Sequence, residues 1–152
     1  MAAFRKILVC VDGSESSIKA VDYALIMAEQ NDAPVIALNV IVSYLGYARS
    51  APAFGLVAPS AMNDLIEKSK QEARGWFESI GKKAATKSIK LLTEVVASVT
   101  SAVPAIVDYA DRNKVDLIVV GTRGRSGFTK LLLGSVASGV VTYASCPVMV
   151  IK

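Results

Sequence analysis

Short apolar runs alternate with stretches of helical periodicity along the chain. Ile7-Leu8-Val9-Cys10-Val11 is the first run, and Asp12-Gly13-Ser14 after it reads as a turn ending in a helix-capping serine. Ile18, Val21, Leu25 and Ala28 then recur at spacings of three and four, which predicts an amphipathic helix closing near Asn31-Asp32 with those four residues on its buried face. Val35 to Ile41 is the second strand. Ser60 is a candidate cap for the next helix, whose inner face carries Ile66, Ser69, Ala73, Trp76, Phe77, Ile80 and Ala84. Lys90 to Ala97 gives a third strand, and Ser101 precedes a short helix that buries Ala102, Val103, Ile106, Val107 and Ala110. Leu117 to Val120 is a fourth strand and Pro147 to Ile151 a fifth, with a last helix opening near Gly134-Ser135 between them.

Strands that are apolar on both faces and alternate with helices predict a parallel sheet covered on both sides. Right-handed crossovers then give a doubly wound α/β sandwich. In such sheets ligands bind beyond the carboxyl ends of the strands, at the topological switch point, so the informative residues follow the strands.

Composition narrows the chemistry. The 152 residues suit one domain, and 53% hydrophobic against 20% charged residues excludes disorder. A net charge of +4 suits a small anionic ligand and is far short of a nucleic-acid arm, so no nucleic-acid partner is expected. The chain has no histidine, which excludes Ser-His-Asp and Cys-His catalysis and imidazole metal sites. Its two cysteines, Cys10 and Cys146, sit in apolar runs and read as small buried hydrophobes, so a reducing, cytoplasmic setting is expected. Charges in Met1 to Lys6 precede too few apolar residues for a signal-peptide core. Leu131 to Ile151 is uncharged and long enough to cross a bilayer. Its glycines, serines and Pro147 break the run, so it reads as soluble core and no membrane partner is expected.

Three places after the strands carry candidate chemistry. Asp12 can accept hydrogen bonds from a sugar hydroxyl or base amine, help hold a metal, or simply shape the Asp-Gly turn. The segment Gly121 to Thr129, followed by Lys130 and then Gly134-Ser135, combines glycines that let backbone N–H groups approach an anion with a helix N-terminus. Arg123, Arg125 and Lys130 add positive charge and Ser135 a hydroxyl. This is phosphate-binding chemistry, although neither the Walker A nor the dinucleotide glycine spacing is present. Residues 43–59 form a long connection, read either as a mobile insertion or as a lid or contact surface.

The spacing Gly121-x2-Gly124-x9-Gly134-Ser135, the opening Ile7 to Ser14 and the ending Cys146-Pro147-Val148-Met149-Val150 together resemble the universal stress protein family, in its ATP-binding branch, over essentially the whole chain. The resemblance implies one domain over 1–152, an adenine nucleotide alpha hydrolase-like sheet of order 3-2-1-4-5, and an ATP site, with Mg, between strands one and four. It implies that Val11 and Asp12 meet the adenosine, with Asp12 a possible Mg ligand through ATP. Val40, after strand two, would contact adenine through its backbone, and Val120 and Gly121 would line the ribose side. Gly124, Gly134, Ser135 and Val136 would hold phosphates. A phosphate contact by Arg123 is inferred from its charge. A homodimer through Val148, Met149, Val150 and Ile151 is also implied. Cys10 and Val11 depart from the Pro and Thr of some nucleotide-binding relatives, which leaves Val11 its backbone groups to offer. The leading expectation is an ATP-binding stress-response module with no catalytic residue of its own. A slow ATPase or phosphotransferase is the second reading, and a nucleotide-independent chaperone-like dimer the third.

Overall fold

Ile7–Cys10 forms β1 because four consecutive apolar residues, three of them fully buried, need cover on both faces. The computed structural model describes residues 2–43, 59–123 and 133–152. Helix α1 (Glu15–Asn31) starts at the N-cap Ser14, whose hydroxyl accepts from Ser17 N, and ends at Asp32 in the left-handed region. The chain continues through β2 (Val35–Val42), α2 (Pro59–Thr86), β3 (Leu91–Ser98), α3 (Ala102–Arg112), β4 (Leu117–Gly121), α4 (Ser135–Tyr143) and β5 (Val148–Ile151). The five strands form one sheet in the order β3-β2-β1-β4-β5, and every pairing is parallel. The expected doubly wound sheet of order 3-2-1-4-5 is the one observed.

Two apolar layers cover it. Ile7, Val9, Val11, Val35, Ala37, Leu117 and Val119 pack with Val21, Leu25 and Ala28 of α1 and with Ile80 and Ala84 of α2. Leu8, Ile36, Leu38 and Ile118 face the other way, against Ile106 and Ala110 of α3 and Val140 of α4. Both faces of β1 and β4 are therefore sealed, and the chemistry is confined to the ends. Lys83 of α2 reaches Asp22 at 2.8 Å and Lys87 reaches Glu29 at 2.7 Å, tying α1 to α2 along their solvent side.

Two sequence expectations are corrected here. Ile18 is half exposed, at 50%, and the buried residue of that turn is Ser17. Pro59 opens α2, so Ser60 is its second residue and not its cap. Among the described residues no helix is long and apolar enough to cross a membrane.

Candidate functional site at the carboxyl end of the sheet

Buried polar side chains cluster at one end of the molecule. Among the described residues they are Ser16, Ser17, Asn39, Ser43 and Thr122, all at the start of α1 or at the carboxyl ends of β2 and β4. No described buried side-chain polar atom lacks a partner, so these groups form a built network.

The strand ends supply its geometry. Val11 N donates to Leu38 O at 2.8 Å, so Leu38 turns its main chain toward β1. Main-chain groups of successive strand residues point to opposite neighbours. Asn39 therefore faces β3, in agreement with Ser43 N donating to Ser98 O four residues on. Val40 faces the β1 side again, where β1 has already ended at Cys10. The regular ladder would continue with Val40 N donating to Val11 O. The Asn39 amide takes that acceptor instead, its Nδ2 donating to Val11 O at 2.7 Å. The Val40 N–H and C=O are thus turned toward the crevice beyond β1. Val40 lies inside β2, two residues before its end, and not after the strand as expected. Val11 is buried, its N–H engaged by Leu38 and its carbonyl by Asn39, so the free backbone groups expected of it are in use.

Asp12 follows β1 in a tight turn. Its Oδ1 accepts from Ser14 N at 2.9 Å and from the Ser14 hydroxyl, an Asx-type arrangement that fixes the carboxylate at the mouth of the crevice. Asp12 N in turn donates to Ser17 Oγ at 3.4 Å. Across the switch point, Ser16 Oγ donates to Arg123 O at 2.6 Å and accepts from Arg123 N at 3.3 Å. The start of α1 therefore holds the backbone that leaves β4, while Arg123 itself is exposed.

Val120 is buried and paired with Val150 of β5. A Cβ at Gly121 would stand 2.7 Å from the Ser16 carbonyl carbon, so this glycine is required by the close approach of β4 to α1. Gly134 N donates to Thr122 O at 2.6 Å, and Thr122 N to Ile151 O at 2.7 Å. These bonds bring the start of α4 back beside the end of β4. Gly134 is the N-cap of α4 and supplies no side-chain cap, in contrast to Ser14 on α1. The first-turn donors of α4, at Ser135 and Val136, are consequently directed out of the helix end, beside a half-buried Val136 and an exposed Ser135. The structure thus brings Val11, Asp12, Val40, Val120, Gly121, Arg123, Gly134, Ser135 and Val136 to one end of the sheet. Gly124, Arg125, Lys130 and residues 44–58 of the long connection lie outside the described residues.

Cys10 ends β1 beside this region and packs against the apolar layer of α3 and α4. Burial, and secondarily the negative charge of Asp12, push its thiol from 9.0 up to about 12. It is half-buried and unpaired with Cys146, and it behaves as a small neutral group. Among the described residues no group of three or more His, Cys, Asp or Glu side chains is gathered to hold a metal.

The universal stress protein family model matches residues 3–152. The chain belongs to the universal stress protein family. A universal stress protein of Methanocaldococcus jannaschii is 36% identical over 151 residues, covering 98% of this chain and 82% of that protein. The universal stress protein UspA from Lactobacillus plantarum has the same fold with a TM-score of 0.86 at 28% identity, each chain covered in full at 100%. A family member crystallised in complex with cAMP superimposes with a TM-score of 0.66 at 25% identity, covering 99% of this chain and 98% of that one.

Asn39, Ser16, Ser17 and Thr122 were not singled out by the sequence. Asn39 did carry a signal, as the one polar residue in the otherwise apolar β2. Ser16 did not, because its value lies in contacts made across the switch point to Arg123, and neither did Ser17, whose hydroxyl is satisfied within its own turn.

Proposed function

We propose that this universal stress protein, acting as one domain over residues 1–152, binds ATP with Mg in the crevice beyond β1. The observation that carries the reading is the Asn39 amide on Val11 O, which takes the acceptor that the ladder would offer Val40 N. By strand alternation this leaves the Val40 main chain directed past the end of β1. An N–H and a C=O on one residue match the edge of adenine, where a ring nitrogen accepts and the amino group beside it donates. Guanine presents the opposite pattern on that edge, so ATP is favoured over GTP. Asp12, fixed by Ser14, stands ready to accept from ribose hydroxyls. The first turn of α4 at Gly134, Ser135 and Val136, together with Gly124, offers N–H groups to the phosphates, and Arg123 adds charge. Val11, Val120 and Gly121 line the base and ribose side. The related protein that binds cAMP supports an adenine nucleotide as the ligand class.

Mg keeps several of its waters and takes one or two carboxylates plus phosphate oxygens, a demand that the single Asp12 carboxylate fits. Phosphoryl transfer also needs a group to orient the nucleophile. The chain has no histidine, and Asp12 Oδ1 is held by Ser14, so binding rather than rapid turnover is the proposed role. The protein is read as a cytoplasmic homodimer formed along β5.

Titration of nucleotide-free protein with Mg-ATP by calorimetry, with GTP as control, tests this. One ATP-selective site per chain is the expected result. Folded protein that gives neither heat nor a thermal shift would remove the nucleotide reading.

A further inference from the structure

Gly13 sits at φ +81°, between Asp12 and the N-cap Ser14. It is confined on its open side as well. A Cβ there would lie 2.6 Å from Trp76 Cε2, with Cζ2 closer still and Nε1 at 3.0 Å. The indole edge therefore packs directly on the Gly13 backbone. Trp76 is half-buried, lies on α2 and packs on its other side against the apolar layer shared by α1, α2 and the sheet. It is the only tryptophan of the chain. The Asp12 turn is held locally by Ser14 and Ser17, its immediate neighbours in sequence, and Ser14 Oγ also donates to Arg123 O at 3.3 Å. Trp76 adds an apolar contact from α2, on the Gly13 backbone itself. Glycine is demanded at position 13 twice, by the positive φ and by the indole.

We propose that Trp76 is a positioning residue that holds the Asp12 turn against the nucleotide crevice, and that its indole reports occupancy of that crevice. The proposal rests on the ATP-binding reading above. A planar ring lying on a backbone without a side chain sets the height of the turn, and with it the reach of the Asp12 carboxylate. Small misplacements of a polar group weaken its hydrogen bonds steeply.

The test compares Trp76→Phe with Phe77→Leu. Phe77 is half-buried in the same apolar layer and serves as the control for general loosening of α2. Trp76→Phe is expected to bind Mg-ATP about tenfold more weakly in calorimetry, the size expected for a displaced charged hydrogen bond. Phe77→Leu is expected to lower the thermal midpoint while keeping the wild-type affinity. In the wild-type protein, tryptophan emission should shift during the titration with the calorimetric midpoint. Equal affinity in Trp76→Phe and wild type, or loss of affinity in both variants in proportion to stability, would overturn the positioning role, and unchanged wild-type emission at saturating ATP would overturn the reporting role. Absence of any heat in the wild-type protein would instead fail the ATP reading, and this proposal with it.

Discussion

At the scale of single residues, Cys10 and Gly121 show how a sequence position near a site is constrained by its neighbours rather than by a ligand. The Cys10 thiol stays protonated well above its ordinary range, with burial the main cause and Asp12 the second. Between pH 9 and about 12 the unfolded chain releases this proton and the folded one keeps it. Stability from the neutral thiol is therefore complete below pH 9 and is lost as the pH rises through that window. Urea-denaturation midpoints measured across the window should fall more steeply for the wild type than for Cys10→Ala, and parallel slopes would contradict the assignment. Gly121 makes a different point. The family resemblance places it beside the ribose, yet a side chain there meets Ser16 and its backbone. Gly121→Val is expected to lose roughly 1–3 kcal/mol of stability through overpacking, read as a lower thermal midpoint with no nucleotide present. An unchanged midpoint would show that β4 and α1 can separate without cost.

At the scale of elements, the end of β2 is where the sheet gives way to the site. Asn39→Leu removes the donor that caps Val11 O, so that the buried carbonyl is left unpaired or recruits Val40 N. The first outcome costs about 1–3 kcal/mol; the second extends the ladder and withdraws Val40 from the crevice. ATP affinity should fall with the second, and amide exchange at Val40 separates the two because only the second protects it. Strands were legible in the sequence because parallel sheets bury both faces, which makes runs such as Ile7 to Val11 apolar throughout. Helix faces were legible where burial and hydrophobicity coincide, as at Val21, Leu25 and Ala28. They parted at the first turn of α1. There Ser17 is buried because its hydroxyl donates to Ser14 O and accepts from Asp12 N, while Ile18 faces solvent. Periodicity registers side-chain hydrophobicity and has no access to a hydroxyl satisfied by its own turn. The same limit hid the Ser16 bond to Arg123, which joins residues far apart in sequence.

At the scale of the whole molecule, the two edges of the sheet are treated differently. β3 is an eight-residue edge with Glu94 at its centre, exposed and charged, a pattern that discourages strand addition. β5 is the opposite edge, and its four residues Val148, Met149, Val150 and Ile151 carry no charge. The first three are only half-buried, and the neighbouring α4 exposes Val141 at 49% and Tyr143 at 70%. An uncharged, half-covered edge beside exposed apolar side chains is what a second copy of the chain would cover, and a twofold arrangement would bring the same strand to both sides. Val150→Asp places a charge on that strand. A wild-type protein eluting as a dimer and a variant eluting at half the apparent mass, both folded by circular dichroism, is the expected result of size-exclusion chromatography. A variant that remains dimeric would move the contact away from β5. The exposed Val141 and Tyr143 of α4 would then be the next positions to charge, because the β3 edge already carries its own deterrent.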